Sequence, residues 1–341
     1  MAGVRIGVVG LGFMGYIHYL AGQKVKGATV AAVCSRDPVK LSGDWRGIRG
    51  NFGPPGQQMD LSGVKRYAAL DDLLADPDID LIDVCNPTAN HPDTAIRALR
   101  AGKHVLVEKA IALTTADADA MVAEAKKAGK LLMVAHVLPF FPEFAFAYDA
   151  VRTGRYGKLL GGHLTRVIAK PDWSAAIGDA DATGGPAVDL HIHDTHFVGL
   201  IAGMPKGVSS TGLVNGNSVD YLTTNYLYGP GGPALSCSSG AVAMSGRQFV
   251  HGFELYFEKA TLSFNSGGVP LTVFTPDGKS EQPKLGDVDP VASFAAEIQT
   301  AVDAVKSGEM PPLLSGQLAR DALVLCFKEI ESVKSGKVVA V

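Results

Sequence analysis

From Gly184 to Phe197 the chain reads GGPAVDLHIHDTHF, and between Asp189 and His196 two aspartates and three histidines fall within eight residues. An imidazole titrates near neutrality and can pass a proton, a carboxylate can orient it, and the same types can hold a metal ion. If Pro186 opens a helix, Asp189 and His193 stand at i and i+4 on one face. His196 then falls near the same stripe and His191 points roughly opposite. Three uses fit such a face: a proton relay, an open metal site of Asp189, His193 and His196, or the polar lining of a core helix. His191 and His196 each suit the last.

The rest of the chain must position these groups. At 341 residues it exceeds one core, which predicts two domains, 1–137 and 138–341. Net charge is −3 with no Lys/Arg run, so neither nucleic acid nor an anionic membrane surface is an expected partner. Glycine turns begin within ten residues of the start and no apolar run spans a bilayer, which makes the cytoplasm the expected location. Cys34, Cys85, Cys237 and Cys326 are widely spaced in apolar contexts and read as buried free thiols.

Up to residue 137, Val/Ile/Leu-rich runs (VRIGVVG, ATVAAVC, LIDVCN, HVLVEK, LLMVAHV) alternate with helical patterns. Runs without polar alternation mark strands buried on both faces, so this half reads as an α/β Rossmann domain with a parallel, doubly wound sheet. Residues 42–63, rich in Gly and Pro, break the rhythm as a loop insertion. Beyond Pro139 come a helix near 142–151, a series of β-type segments, and two closing helices near 291–306 and 316–334. This predicts an α+β C-terminal domain on a largely antiparallel open sheet, one face under helices and the other free to pair with a second subunit.

Gly10-Leu-Gly12-Phe13-Met14-Gly15 matches G-x-G-x-x-G directly after a predicted strand and at the start of a predicted helix. The first glycine permits the tight turn, the second admits a pyrophosphate close to backbone N–H groups, and the third lets helix and strand pack closely. The second strand ends Cys34-Ser35-Arg36-Asp37. Ser35 and Arg36 can donate to a ribose 2′-phosphate, which favours NADP; with Arg36 only stacking on adenine and Asp37 turned inward, the site would serve NAD.

GLGFMGYIH near the start, CNPTANH at 85–91, AGKHVLVEKAIA at 101–112 and GGPAVDLHIHD at 184–194 together resemble the glucose-fructose oxidoreductase/inositol dehydrogenase/MocA family, over nearly the whole chain and in the correct order. The resemblance implies an NAD(P)-dependent dehydrogenase or reductase of sugars, cyclitols and related polyols, assembled as a homodimer or homotetramer through the C-terminal sheet. By position it assigns Lys109 to the family's E-K-P lysine, with Glu108 before it, and Asp189 and His193 to its D-x-x-x-H pair. Asn86, Pro87 and His91 fall at the nicotinamide end of the cofactor cleft. Three positions depart: Ala110 replaces the proline after the lysine, so the Lys109–Ala110 bond is expected to be trans; His191 stands where glycine is common; Pro139 stands where many relatives have arginine.

With Lys109 placed, the relay reading is the fullest. His193 takes a hydroxyl proton, Asp189 orients substrate or imidazole, and Lys109 stabilises the developing alkoxide. A metal at Asp189, His193 and His196 would repel Lys109, so no metal is expected. His136, at the end of the last Rossmann strand, and Lys170 and Trp173, in AKPDWS, are further candidates for holding a substrate, although His136 suits a core position as well; Arg166 and His251 are weaker ones. Two alternatives stand: a reductase of dihydrodiols or other non-sugar carbonyls on the same fold, or a dinucleotide-sensing regulator without turnover.

Overall fold

The structure is a computed structural model that describes residues 3–170, 180–286, 289 and 291–341. The chain divides into two compact units: Met1–Phe140 with Val288–Arg320, and Phe141–Asp287 with Asp321–Val341.

The first unit is built on a six-stranded parallel sheet of β1 (Val4–Val9), β2 (Ala28–Cys34), β3 (Lys65–Tyr67), β4 (Leu81–Val84), β5 (His104–Glu108) and β6 (Leu132–Ala135), in the order β3-β2-β1-β4-β5-β6. This is the doubly wound Rossmann order, in which the order of strands reverses beside β1 and leaves a crevice at the carboxyl ends. Burial is nearly continuous along β1, β4 and β5, as expected of strands covered on both faces. The connections carry α1 (Phe13–Gly22), α2 (Pro38–Leu41), α3 (Leu70–Leu74), α4 (His91–Arg100) and α5 (Thr115–Ala128).

Residues 42–63 contain little regular structure, yet they are packed. Trp45 is fully buried, edge-on to Tyr16 and Tyr19 at centroid distances of 5.8 and 4.9 Å, and its Nε1 donates to Lys40 O at 2.8 Å. Tyr16 Oη donates to Pro55 O, and Phe52 meets Phe13 at 4.7 Å. The segment thus covers the outer side of α1 with aromatic rings, a function a helix would otherwise serve.

The second unit carries nine strands: β7 (Leu159–Ala169), β8 (Gly207–Asn215), β9 (Ser218–Leu227), β10 (Ala234–Ala243), β11 (Val250–Phe257), β12 (Thr261–Asn265), β13 (Val269–Phe274), β14 (Ser280–Glu281) and β15 (Val339–Ala340). Their order is β14-β13-β12-β11-β7-β10-β9-β8-β15, antiparallel throughout except for β7 beside β10. Alternation is plain in β11, where Phe253, Leu255 and Phe257 are buried while Glu254 and Tyr256 face out. The helices α6 (Pro142–Thr153), α7 (Ala180–Thr183), α8 (Pro186–Asp189) and α9 (Ile192–Ala202) follow β6 and β7 in the chain; α8 packs on β9 and β10, and α9 on β7 and β10. Phe144 of α6 anchors this core against Phe197 and Phe253, with ring centroids 5.1 and 5.0 Å away.

Two C-terminal helices complete the chain. The first, α10 (Ala292–Ser307), packs against α1 and so joins the first unit, although sequence order groups it with the second half. Its Phe294 stacks on Phe52 at 5.4 Å, a contact between residues too distant in sequence for any periodicity to show. The second, α11 (Gly316–Ser335), belongs to the second unit from Asp321 onward. Cys34, Cys85, Cys237 and Cys326 are buried free thiols. Among the described residues no helix is long and apolar enough to cross a membrane.

Candidate active site

The glycine turn after β1 has the geometry its spacing demands. Gly10 sits at φ 94° with Asn86 N 2.7 Å from where a Cβ would stand, and a Cβ on Gly15 would fall 1.9 Å from Gly10 O. Both positions are therefore closed to any side chain by backbone. At Gly12 the reverse holds: an added Cβ would meet nothing within 4 Å. Gly12 is also the N-cap of α1, which has no side-chain cap and no acidic residue in its first turn. An uncapped, positively polarised helix end beside open space fits an anion such as a pyrophosphate. Phe13 turns its ring to Phe52, so Phe13 and Met14 offer this site their backbone N–H groups.

At the end of β2, Asp37 caps α2, its carboxylate accepting from Val39 N at 2.9 Å and Lys40 N at 3.4 Å. Ser35 Oγ accepts from Asp37 N, and Arg36 is exposed. Beside them lies an open depression of about 510 Å³ lined by Asp37, Lys40, Asp44, Arg46 and Ile48 among others.

After β4, Asn86 Nδ2 donates to Thr94 Oγ1 at 2.8 Å, while its buried amide oxygen has no partner among the described residues and suits a ligand donor. Pro87 leads into α4. His91 is sealed in the core with Nδ1 2.9 Å from Ala110 O and Nε2 2.9 Å from Asn86 O. Burial lowers its pKa; its work is to join the β4 and β5 turns. After β5, Glu108 points inward, and its Oε2 accepts the Lys109 backbone N–H at 3.0 Å. Lys109 itself is half-buried. The Lys109–Ala110 peptide is cis, contrary to the expectation from alanine at that position. The turn is held from both sides, by His91 on the Ala110 carbonyl and by Glu108 on the Lys109 amide. His136, at the end of β6, is completely buried.

In the second unit the continuous helix expected from Pro186 is interrupted. α8 ends at Asp189 and α9 begins at Ile192, with His191 N–H donating to Pro186 O, five residues back, at 3.0 Å. Such a widened turn shifts the faces on either side, so Asp189 and His193 are not related by one straight i, i+4 stripe. The widening coincides with His191 entering the core, where its Nε2 lies 2.6 Å from a Glu329 carboxylate oxygen and its Nδ1 3.8 Å from Cys237 Sγ. Burial disfavours the charged ring, yet Glu329 and Cys237 together carry the His191 pKa well above its ordinary value.

The remaining polar residues of this stretch sort by exposure. His196 is fully buried, which drives its pKa down to about 3. Asp194, equally sealed, takes a two-pronged bond from Arg166, at 2.6 Å from Nε and 3.1 Å from Nη2. Only Asp189 and His193 are half-exposed among these five residues from Asp189 to His196. His196 is therefore no open metal ligand. Arg166 is a buried structural cation, and His251 sits among Phe141, Phe144, Phe249 and Phe264. Lys170 is exposed just past β7, and Trp173 lies outside the described residues.

Residues 4–136 match the Gfo/Idh/MocA model, an oxidoreductase family with an NAD-binding Rossmann fold. The match covers the Rossmann half of the chain, so the likeness it shows is to that family's dinucleotide-binding domain. It is 27% identical to the myo-inositol 2-dehydrogenase of Thermotoga maritima over 98% of both chains. A second relative, the trans-1,2-dihydrobenzene-1,2-diol dehydrogenase of Bos taurus, is 30% identical over 53% of this chain and 57% of its own. A levoglucosan dehydrogenase solved with NADH and levoglucosan has the same fold, with a TM-score of 0.83 over 99% of each chain at 19% identity.

One group of residues escapes motif reading altogether: His18, Asp83 and Glu297, which meet Glu108 in the core. Asp83, a carboxylate inside the apolar strand LIDV, is the one sequence signal that could have exposed it.

Proposed function

We propose that this chain is a member of that oxidoreductase family and transfers hydride between a nicotinamide dinucleotide and a secondary hydroxyl or carbonyl of a sugar, cyclitol or related polyol. The observation that carries the reading is the sorting of the Asp189–His196 stretch: its structural members are sealed in the core, and the two left half-exposed are the acid–base pair. The bound dinucleotide supplies the hydride acceptor or donor. His193 removes the hydroxyl proton as the carbon-bound hydrogen departs, and returns it in the reverse direction. Asp189 orients the imidazole or a substrate hydroxyl. The Lys109 ammonium stabilises negative charge developing on the oxygen. Gly10, Gly12 and Gly15, with the first turn of α1, hold the pyrophosphate, and Asn86 offers its free amide oxygen near the nicotinamide end.

NADP is the proposed cofactor. Capping of α2 engages Asp37, leaving Ser35 and exposed Arg36, with Lys40 and Arg46 in the adjoining depression, to meet a 2′-phosphate. The enzyme works in the cytoplasm as a homodimer or homotetramer through the outer face of its nine-stranded sheet, where Leu213, Tyr256 and Phe274 are exposed.

The test is absorbance at 340 nm with NAD or NADP and a panel of aldoses, inositols and diols, with Lys109→Ala alongside. Turnover that requires Lys109 supports the reading. Turnover with diols and no sugar would favour the dihydrodiol activity suggested by the 30% match. Cofactor binding without any turnover would indicate a sensor.

A further inference from the structure

The core of the first unit contains more ionisable groups than its architecture requires. His18 of α1, Asp83 of β4, Glu108 of β5 and Glu297 of α10 all lie buried there, with Cys85 beside them. His18 Nδ1 is 3.0 Å from both Asp83 carboxylate oxygens, and its Nε2 is 2.9 Å from Glu108 Oε1. Cys85 Sγ is 3.6 Å from Asp83 Oδ1. The other Glu108 oxygen receives the Lys109 backbone N–H. Charged groups buried in this way are costly, and well-packed apolar residues commonly serve stability as well or better. Their presence therefore calls for a reason other than stability.

The connectivity supplies one. Both oxygens of Glu108 are engaged, one by His18 and one by the first residue beyond β5. His18 in turn is fixed by Asp83, much as an outer carboxylate fixes the imidazole of a metal or catalytic site. The helix bearing His18 is the one whose first turn forms the glycine cradle, so one side chain ties the cradle to the Lys109 turn. We propose that Asp83, His18 and Glu108 form a positioning chain for Lys109, setting the direction in which it leaves β5 relative to the cradle. The proposal rests on the catalytic reading of Lys109.

Protonation is consistent with this arrangement. Burial disfavours a charged His18, but Asp83 and, beside it, Cys85 hold its pKa well above the ordinary value. As an imidazolium it donates to both carboxylates. Among the described residues Glu297 has no hydrogen-bond partner for either oxygen, and burial, aided by Glu108 and Asp83 against the opposing pull of His18, raises its pKa.

Glu108→Gln in the whole chain is the direct test, since His18 and Lys109 meet different oxygens of Glu108 and one of the two donors would then face the amide NH2, which cannot accept. Three quantities are read: amide hydrogen exchange over residues 105–112, kcat, and the Kd for NADP. Exchange is expected to rise at least about tenfold and kcat to fall by roughly 10–100-fold, the usual effect of losing an outer-shell partner, while Kd changes by no more than about threefold. His18→Asn should reproduce this pattern, and Glu108→Gln alone decides the matter if that variant does not fold. Glu297→Gln should leave exchange and kcat within about twofold. Wild-type exchange in Glu108→Gln would overturn the proposal, as would a loss of kcat matched by an equal loss of NADP affinity. If the wild type shows no turnover, the proposed activity fails, and the exchange data still decide whether the chain holds the Lys109 turn.

Discussion

Gly12→Ala separates binding from folding. The added methyl would meet no protein atom within 4 Å, and the residue's φ of −86° and ψ of −162° suit alanine. Alanine is a poorer N-cap than glycine by roughly 0.5–1 kcal/mol, and about the same is regained from the less flexible unfolded chain. The net change in stability should be below about 1 kcal/mol, or less than about 2 °C in Tm for a chain of 341 residues. The same methyl stands where a pyrophosphate must approach the N–H groups of the first turn. Losing one charge-assisted hydrogen bond costs about 1.5–3 kcal/mol, so dinucleotide affinity should fall by roughly 10–150-fold. Gly15→Ala is the contrasting variant: its Cβ would sit 1.9 Å from the Gly10 carbonyl oxygen, and backbone cannot step aside. A loss above about 4 kcal/mol is expected there. Titration calorimetry with NADP and NAD, alongside thermal melts, measures both effects. Wild-type affinity in Gly12→Ala, or a melt depressed as far as that of Gly15→Ala, would refute the assignment of the open space beside Gly12 to a pyrophosphate.

Four other outcomes follow from the same structure. Trp45→Ala should lower stability by about 3–5 kcal/mol, the ordinary cost of emptying a fully buried Trp site; a melt within a degree of wild type would show that residues 42–63 are an open loop after all. Arg36→Ala should raise the Kd for NADP about tenfold more than that for NAD, and equal changes would remove Arg36 from cofactor selection. His251 is depressed from 6.5 to about 3, chiefly by burial and then by Arg166. On acidification the unfolded chain takes up this proton first, so stability is lost as pH falls through 6.5 toward 3, by about 1.4 kcal/mol per pH unit. His251→Phe should flatten that acid limb in a series of denaturant melts. Glu297 has the opposite linkage: its raised folded pKa means the folded state keeps a proton that the unfolded state releases above about 4.5, so stability declines as pH rises beyond that value. Glu297→Gln should accordingly raise Tm by a few degrees at pH 8 and hardly at all at pH 4.5, and an equal effect at both would mean Glu297 is ionised in the folded protein.

Local physics made much of this protein legible from its residues in order. Apolar runs without alternation in the first half and period-two alternation in the second come from how each strand is covered, so the Rossmann sheet and the mixed sheet could be read directly. The cradle was legible because its glycines answer to backbone demands within six residues. The polar stretch at Asp189–His196 announced itself by composition. Which of its members are sealed and paired was decided by partners far away: Glu329 for His191, and Arg166 for Asp194. The same holds for α10, whose amphipathic pattern could not say that its apolar side belongs on α1, and for Trp45, whose burial depends on two tyrosines of that helix. His18, Asp83 and Glu108 are 65 and 90 residues apart in the pairs they form. Sequence determines the period, the turns and the inventory of reactive groups, because these depend on neighbours along the chain. The tertiary structure alone decides which of those groups are sealed, paired or left facing solvent, because desolvation and pairing depend on what the fold brings within about 3 Å.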